Sequence, residues 1–255
     1  MSEPGPDTAL TAFLAHLGHE RRLSPLTLSN YRRDLERIGA WREDAGLGLD
    51  WAAMTPEEVR RYVAWRHRGG AGGKTLLLGA LMRSQGRLYA FDVAEKRLAK
   101  LKPRLARSGL SNVHPARIEH ERDTKIKRLA GKVDRVLVDA PCSGLGTLRR
   151  NPDLKWRQSE ESVAELTVKQ ASILDAAAKM VRPGGRVVYA TCSLLAAEND
   201  AIITAFLAAH PEFKLTPASA VLAKHGIEVA GDTLHLLPHQ HHTDGFFAAV
   251  LDRQA

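Results

Sequence analysis

The sequence predicts an α/β fold in which a small all-α N-terminal bundle, residues 1–69, is followed by a larger α/β domain, residues 70–255. Three observations support this division. Apolar residues in the first segment recur at the spacing of helices. No lysine occurs before Lys74, whereas twelve lysines follow from there on. In the second segment, apolar runs typical of strands end in polar turns, and both cysteines, Cys142 and Cys192, lie at such ends.

The first segment is predicted to contain at least three helices. Apolar residues lie at helical spacing in the run Leu10–Leu17. Ser24 and Pro25 can cap and start a second helix that continues through Ile38. Thr55–Glu58 has the pattern of a capping box with proline at the first helical position, which predicts the start of a third helix.

The second segment is predicted to contain five strands. Each run is short and apolar, and polar or glycine-containing turns bound it. A carboxylate or a thiol at the carboxyl end of a central strand lies where open α/β sheets bind their ligands. The predicted strands are Leu88–Val93, Asn112–Ile118, Val133–Val138, Gly184–Cys192 (a turn followed by a strand) and Asp244–Leu251.

The net charge of +8 is confined to the second segment. Residues 1–69 contain ten arginines and ten acidic residues, whereas residues 70–255 contain 27 basic and 19 acidic residues. This excess favours a polyanionic partner such as nucleic acid over a merely soluble basic surface. The amino terminus lacks the pattern of a signal peptide, and a chain with two thiols is typical of a reducing compartment, so we expect a cytoplasmic protein.

A glycine-rich stretch precedes the first predicted strand of the second segment. Gly70–Thr75 predicts a glycine turn that leads into a helix, where backbone N–H groups can approach a cofactor closely. Asp92 ends a strand about twenty residues later, which is the spacing used to hold a ribose diol. Glycine turns are common, so this signal acquires weight only together with Asp92.

Two motifs carry a resemblance that covers roughly residues 70–255. The sequences Asp-Ala-Pro-Cys-Ser-Gly at 139–144 and Tyr-Ala-Thr-Cys-Ser at 189–193 resemble those of the RNA 5-methylcytosine methyltransferases of the RsmB/NOP/Sun type. The flanks agree at Glu198-Asn199 and at Asp244-Gly-Phe-Phe. The resemblance implies a Rossmann-like methyltransferase domain, the cofactor S-adenosyl-L-methionine, and RNA, with rRNA as the expected class, methylated at carbon 5 of cytosine.

The resemblance also implies the catalytic residues. The thiol of Cys192 attacks carbon 6 of the base, Cys142 assists release of the product, and Asp139 contacts the base. Because an ordinary thiol has a pKa near 8.5, Cys192 needs nearby positive charge or dipoles to ionise. Lys74 and Arg186 are the candidates for that charge. The chemistry requires the target base to leave its stack and enter a pocket.

The cofactor-binding residues follow from the same resemblance. The glycine loop and Asp92 are expected to hold S-adenosylmethionine, and an acidic residue after the second strand is expected near the adenine. For that position the sequence leaves Glu119, Glu121 and Asp123 open. The full set of candidates is Gly70, Ala71, Gly72, Gly73, Lys74, Asp92, Glu119 and Asp139.

Two surface clusters have competing interpretations. Arg149, Arg150, Lys155 and Trp156 are predicted to form an RNA-contacting lip, although an ordinary solvated face is about as consistent with the pattern. The histidines at 239, 241 and 242 lack a cysteine or acidic partner at ligand spacing. We therefore predict a polar loop there and no metal site.

The resemblance stops just before the glycine loop. Methyltransferases of this type have an apolar central strand there that ends in Asp-x-Cys-Ala-Gly. This chain instead has the capped helix that ends in Trp-Arg-His-Arg at 65–68. The implied Rossmann-like domain therefore lacks its first central strand.

The first segment has a resemblance of its own. Glu20-Arg-Arg-Leu-Ser-Pro-x-Thr-Leu-x-x-Tyr31 and Arg60–Gly69 are similar to the N-terminal core-binding domain of Xer-type tyrosine recombinases. This suggests a fusion, and it implies weak DNA contact through Arg21, Arg22, Arg32 and Arg33. The alternative function is thus a DNA-binding helical module of a recombinase fragment joined to an inactive methyltransferase tail. Cytosine methylation of DNA is disfavoured because it normally uses the Pro-Cys thiol alone.

Overall fold

The computed structural model describes residues 6–20, 25–48, 50–51, 54–55, 58 and 71–255. The chain divides into two compact units, residues 1–116 and residues 117–255. The first unit therefore contains the predicted helical bundle together with the beginning of the predicted α/β domain.

Helices and a small sheet make up the first unit. Its side chains at Leu14, Trp41 and Leu101 are buried. The predicted first two helices are confirmed. The helices are α1 (Pro6–His19), α2 (Pro25–Asp44), α3 (Ala71–Leu81) and α4 (Glu95–Ser108), and the strands are β1 (Leu88–Asp92) and β2 (Val113–Arg117).

A buried arginine anchors the end of α2. The side chain of Arg42 is 2% exposed and its guanidinium donates to the carbonyl oxygens of Leu47 and Gly48 and to the carboxylate of Glu58 at 2.6 Å. The same carboxylate accepts from the backbone N–H of Thr55, whose hydroxyl accepts from the N–H of Glu58. This reciprocal pair confirms the predicted capping box. Most of the helix that the sequence predicts after it lies outside the described residues.

A five-stranded sheet forms the centre of the second unit. The strand order is β3-β4-β7-β5, and β6 pairs with β7 as well. β3 runs parallel to β4, and β7 is antiparallel to β4, β5 and β6. The strands are β3 (Val133–Asp139), β4 (Val181–Thr191), β5 (Phe213–Thr216), β6 (Leu234–Leu236) and β7 (Phe246–Arg253).

Helices cover this sheet. The long helix α7 packs against β3 and β4, and its Leu174 is fully buried. From the sheet, Tyr189 and Phe247 are fully buried with their rings edge to face. The helices are α5 (Thr124–Lys127), α6 (Leu154–Arg157), α7 (Glu160–Met180), α8 (Asp200–Ala209), α9 (Ala218–Ala223) and α10 (Pro238–His241), with short 3-10 turns at Leu145–Thr147 and Ala196–Glu198.

The strands fall into two separate sheets. β1 and β2 pair with each other in a two-stranded sheet, and the other five strands form the second sheet. All five predicted strands are present, whereas β5 and β6 were not predicted. Within the part of the chain that the structure describes, no strand joins the two sheets. The residues directly before Ala71, where the sequence predicts that the first central strand is missing, lie outside the described residues. Among the described residues, no helix is both long and apolar enough to cross a membrane.

Candidate active site

Two neighbouring strand ends bring the cysteines together. β3 and β4 are parallel and in register up to the pair Asp139 and Ala190, so the chain leaves both strands at one edge of the sheet. The N–H of Ala140 still donates to the carbonyl of Ala190 at 2.9 Å. Just beyond, the Sγ atoms of Cys142 and Cys192 lie 3.4 Å apart. Both thiols are half-buried, and the prediction that both lie at strand ends is confirmed.

Two glycines hold the loops after the strands in close contact. The N–H of Gly146 donates to the carbonyl of Cys192 at 2.9 Å, and the N–H of Gly245 donates to the carbonyl of Gly146 at 2.7 Å. A Cβ atom on Gly146 would lie 2.3 Å from the carbonyl oxygen of Gly245. The absence of a side chain therefore lets the Cys142 loop, the Cys192 loop and the start of β7 approach each other at backbone distance.

The closeness of the two thiols governs their ionisation. A hydrogen bond with Cys192, burial and the charge of that neighbour all raise the pKa of Cys142 above its ordinary range. Backbone N–H groups of Gly144 and Cys192 act in the opposite direction and do not offset this. The pair thus favours a state in which Cys142 keeps its proton.

A buried carboxylate lies behind both cysteines. Glu198 is fully buried, and its oxygens accept from the N–H and hydroxyl of Ser143 and from the hydroxyl of Ser193. Gln170 donates to the same carboxylate at 2.9 Å and to the carbonyl of Pro141 at 2.8 Å. Sequence reasoning assigned no role to these polar residues. The signal available was a serine directly after each cysteine and the Glu198-Asn199 pair after the second motif.

The third catalytic candidate, Asp139, is the last residue of β3. Its side chain is exposed and lies three residues before Cys142, on the edge of the sheet where both thiols lie. The structure therefore places the three predicted catalytic residues at one edge of one sheet.

The predicted cofactor residues Gly70–Lys74 and Asp92 belong to the other unit. Gly70 lies outside the described residues. Ala71, Gly72, Gly73 and Lys74 form the first turn of α3, so the prediction of a glycine loop over them is wrong. The hydrogen bonding of the following apolar residues continues the helix back to Ala71.

Asp92 lies at the end of β1, as predicted, but its carboxylate is already engaged. Arg97 donates to both carboxylate oxygens at 2.7 Å, and the N–H of Ala94 donates to Oδ1 at 2.8 Å. Burial opposes the charge, but the bonds from Arg97 and Ala94 outweigh it, so the pKa of Asp92 lies below its ordinary value. The group is an anion and a strong hydrogen-bond acceptor.

The three acidic candidates after β2 have different surroundings. Asp123 caps α5, because its carboxylate accepts from the N–H groups of Lys125 and Glu119. Glu121 accepts from the hydroxyl of Ser172 at 2.6 Å. Glu119 is exposed, and no hydrogen bond from another described residue to its carboxylate is found. Of the three, Glu119 has the carboxylate with the most capacity for a ligand.

Positive charge near the thiols does not come from Arg186. Its guanidinium is bound to Asp252 at 2.5 and 2.7 Å, in the middle of β4. Cys192 lies six residues further along, just past the end of the strand, about 20 Å away at the rise of a strand. The prediction that Arg186 favours the Cys192 thiolate is therefore wrong.

The predicted RNA-contacting residues lie on the surface of the second unit. Trp156 is 81% exposed, and the ammonium group of Lys155 lies 4.7 Å from the centre of its ring system. Arg149 and Arg150 both pair with Asp244, at 3.5 and 2.9 Å. These pairs connect the basic segment to the loop before β7. Trp156 remains available as a stacking surface.

The histidines near the carboxyl end are not in a loop as predicted. His239 and His241 lie in the one-turn helix α10, which Pro238 begins, and only His242 follows it in a left-handed turn. Proline at the first helical position explains the helix. Among the described residues there is no group of histidine, cysteine and acidic side chains able to hold a metal ion.

The fold and the thiol pair together define a Rossmann-like α/β protein with paired cysteines at adjacent strand ends. The comparison with protein families agrees: residues 67–252 match the family described as 16S rRNA methyltransferase RsmB/F. The chain belongs to this family. Residues 10–96 also match the phage integrase N-terminal SAM-like domain.

Individual relatives are similar over the same region. "Probable ribosomal RNA small subunit methyltransferase B" of Synechocystis is 42% identical over 185 residues, which are 71% of this chain and 41% of that protein. The crystal structure of PH0851 matches with a TM-score of 0.64 at 39% sequence identity. The match covers 71% of this chain and 40% of the PH0851 chain. NSun6 from Pyrococcus horikoshii with SFG has a TM-score of 0.61 at 28% identity, covering 73% of this chain and 47% of that one.

The chain thus spans about two fifths of the length of that curated relative. The integrase match supports the recombinase-like origin predicted for the first segment. Its predicted DNA contacts stay a prediction, because Arg21 and Arg22 lie outside the described residues, and the Arg33 side chain is likewise not described. Arg32 is exposed on α2.

Proposed function

We propose that this chain is an S-adenosylmethionine-dependent methyltransferase that acts on carbon 5 of cytosine in RNA, with rRNA as the substrate class. The observation that carries the proposal is the 3.4 Å approach of the Cys142 and Cys192 sulfurs at adjacent strand ends in a member of the RsmB/F family. The names of the curated relatives support rRNA as the substrate.

The reaction explains the need for two thiols. Carbon 5 of cytosine is a weak nucleophile, and addition of the Cys192 thiolate to carbon 6 makes it electron-rich. S-adenosylmethionine, when bound, supplies the methyl group as an electrophile on a sulfonium. A base must then take the proton at carbon 5, after which the electron pair of the carbon–hydrogen bond re-forms the double bond between carbons 5 and 6 and expels the Cys192 thiolate.

The structure supports the assignment of the two thiols. The neighbouring sulfur raises the pKa of Cys142, so this thiol stays protonated. Cys142 lies within contact distance of the sulfur that must be expelled and can donate its proton to that sulfur as the bond to carbon 6 breaks. Asp139, at the same edge of the sheet, is the proposed partner of the base at ring nitrogen 3, where a carboxyl group stabilises the developing charge.

The residues of the first unit fit the cofactor through polar contacts. Asp92 is an anionic hydrogen-bond acceptor at the end of β1, and a carboxylate at that place suits a ribose hydroxyl. Ala71–Lys74 form the described first turn of α3, and backbone N–H groups in the first turn of a helix bind carboxylates. We therefore assign Asp92 to the ribose and the segment from Gly70 to Lys74 to the amino-acid end of the cofactor, with Glu119 as the residue near the adenine.

The exposed basic segment is the proposed contact for RNA. Trp156 offers an indole face for stacking an unpaired base, and Lys155, Arg149 and Arg150 supply positive charge beside it. The ion pairs of both arginines with Asp244 hold these side chains in place without neutralising the whole segment.

The test traps the covalent intermediate. With RNA containing 5-fluorocytidine, a base that cannot release the substituent at carbon 5, the unaltered chain should form a covalent adduct in the presence of S-adenosylmethionine. Cys192→Ala should form none. Cys142→Ala should retain that adduct and, with ordinary RNA, accumulate a stalled protein–RNA complex.

Two outcomes would contradict the proposal. If Cys142→Ala abolished the fluorinated adduct and Cys192→Ala kept it, the roles of the thiols would be reversed. If the unaltered chain, saturated with cofactor as shown by calorimetric titration, formed no adduct with rRNA that contains 5-fluorocytidine, the proposed activity would be wrong.

A further inference from the structure

Glu198 makes contact with both cysteine loops at once. Its carboxylate accepts from the N–H of Ser143 at 2.8 Å and from the hydroxyls of Ser143 and Ser193, each at 2.5 Å. Ser143 directly follows Cys142, and Ser193 directly follows Cys192. We propose that Glu198 is the positioning residue that sets the distance between the two thiols.

The donors around the carboxylate show why an acid is needed at this place. The two serine hydroxyls reach Oε2, whereas the backbone N–H of Ser143 and the side-chain amide of Gln170 reach Oε1. All four groups donate. A buried acceptor with two oxygens and no hydrogens matches them, and the charge strengthens each bond.

Gln170 connects Glu198 to Pro141, the residue directly before Cys142. Its amide donates to the carbonyl of Pro141 as well as to Glu198, and the side chain is fully buried on α7. The Cys142 loop is therefore held on both sides of the sulfur, at Pro141 and at Ser143.

The second loop has a matching attachment. Asn199, the neighbour of Glu198, donates to the carbonyl of Ser193 at 3.1 Å and accepts from the hydroxyl of Thr191 at 2.6 Å. Residues 198 and 199 thus hold the segment on both sides of Cys192. In addition, the ring hydroxyl of Tyr189 on β4 donates to the carbonyl of Glu198 at 2.8 Å, which ties the positioning residue itself to the sheet.

Burial makes this arrangement rigid. Ser143, Ser193 and Glu198 are at most 1% exposed, so a loosened hydrogen bond is not replaced by bulk water. In such surroundings an unpaired polar group is disfavoured. The loops therefore keep the one geometry in which all donors are satisfied, and that geometry places the sulfurs in contact.

The experiment measures the thiol distance directly and needs neither RNA nor cofactor. Diamide oxidises two neighbouring thiols to a disulfide: the two sulfurs lose two electrons and two protons, and diamide becomes the corresponding hydrazine. Two rates are measured in the full chain: closure of the Cys142–Cys192 disulfide, and alkylation of the two thiols. The ratio of the closure rate to the alkylation rate reports how well the pair is positioned, because it corrects for the exposure and reactivity of the thiols. Mass spectrometry of the digested protein follows both reactions.

We expect Glu198→Ala to lower this ratio at least tenfold. Glu198→Gln should lower it less than threefold, because the serine hydroxyls can rotate to accept from the new amide and keep both loops attached. Asp252→Asn is the matched control: it removes a partly buried carboxylate from the same sheet, at the opposite end from the thiols, and should leave the ratio unchanged.

The role would be overturned if folded Glu198→Ala closed the disulfide as fast as the unaltered chain. Should Glu198→Ala fail to fold, Ser193→Ala, which removes a single donor, must lower the ratio at least threefold for the proposal to stand. It would also be overturned if Asp252→Asn slowed closure as much, since the effect would then reflect stability alone. The catalytic importance of this positioning role rests on the proposed function, whereas the role itself does not. If no fluorocytidine adduct formed but Glu198→Ala still lowered the closure ratio as expected, the proposed function would be rejected and the positioning role would stand.

Discussion

Replacing Gly146 by alanine should disrupt the second unit more than a glycine replacement usually does. The added Cβ would lie 2.3 Å from the carbonyl oxygen of Gly245 and 2.7 Å from that of Cys192. Both contacts are with backbone atoms, which cannot move aside by changing a rotamer. The Cys192 loop and the start of β7 must therefore separate from Gly146.

The expected size of the effect follows from two contributions. Forcing an extra methyl group into a packed site lowers the free energy of unfolding by about 1–3 kcal/mol. The separation also weakens the hydrogen bonds that Gly146 makes with Cys192 and Gly245, at 2.9 and 2.7 Å, and each contributes about 1 kcal/mol. We expect a loss of about 3–5 kcal/mol in total.

Gly226→Ala is the control for this substitution. Gly226 has a positive φ of 70°, and no atom lies within 4 Å of the position that its Cβ would occupy. Alanine there encounters only the backbone cost of the left-handed region, about 1–2 kcal/mol. Both variants add the same methyl group, but only in Gly146→Ala does that group collide with other atoms.

Amide hydrogen exchange in β4 and β7 is the appropriate assay, because it reports the stability of the second unit separately. Exchange through unfolding should accelerate at least about fivefold further in Gly146→Ala than in Gly226→Ala, which corresponds to a difference of about 1 kcal/mol or more. Equal acceleration in the two variants would refute the reasoning from close backbone contact. The fluorocytidine adduct should also decrease in Gly146→Ala, because Cys192 shifts with its loop.

Three further predictions concern charge, RNA and the cofactor. A hydrogen bond from Arg186 lowers the pKa of Asp252, so this carboxylate stabilises the fold above its unfolded pKa of about 3.9 and loses that effect as the pH falls through its lower folded pKa. In Asp252→Asn the free energy of unfolding should therefore fall less steeply with decreasing pH in this range, and an unchanged pH dependence would contradict this. Trp156→Ala should weaken RNA binding by about 1–3 kcal/mol while thermal unfolding stays unchanged, since stacking on an exposed ring is lost; equal binding would exclude the stacking role. A variant in which a family first strand ending in Asp-x-Cys-Ala-Gly replaces residues 59–70 should bind S-adenosylmethionine at least tenfold more tightly in calorimetric titration, about 1.4 kcal/mol; equal affinity would refute the account of the missing strand.

The sequence was sufficient to predict that both thiols lie at strand ends. The apolar run before Asp139 and the run before Cys192 both have the pattern of buried strands, and strands of this kind end at the ligand-binding edge of a sheet. The 3.4 Å distance between the sulfurs could not be predicted. It depends on the register of β3 against β4 and on the close contact at Gly146, and neither leaves a periodic signal.

The Glu198 network was missed for a related reason. Its donors come from positions 143, 170 and 193, which are separated by a long helix and a strand. Local patterns describe which face of an element is apolar, but they do not report which polar groups meet after folding. A buried glutamate is uncommon, so the sequence alone favours a solvated one at this position.

Wrong predictions at Arg186 and at the glycine stretch have different causes. Arg186 was considered for its charge, whereas its place in the middle of β4 puts it beside Asp252 and six residues before Cys192. The glycines at 72 and 73 suggested a turn, but the apolar run that follows propagates its hydrogen bonding back to Ala71. Helix propensity is a weak determinant, and a well-packed helix tolerates glycine in its first turn.

The proposed thiol site and the proposed ribose-binding residue lie in different sheets. The thiols, Asp139 and Glu198 all belong to residues 117–255, where a five-stranded sheet has fully buried side chains such as Leu174 and Tyr189. Asp92 belongs to a two-stranded sheet, and two strands alone are marginally stable without helices packed on them. Under the proposed function, addition of Cys192 to a base requires the first of these sheets, whereas binding of S-adenosylmethionine requires the second. A change confined to the second sheet should therefore alter the affinity for the cofactor and leave the distance between the two thiols unchanged.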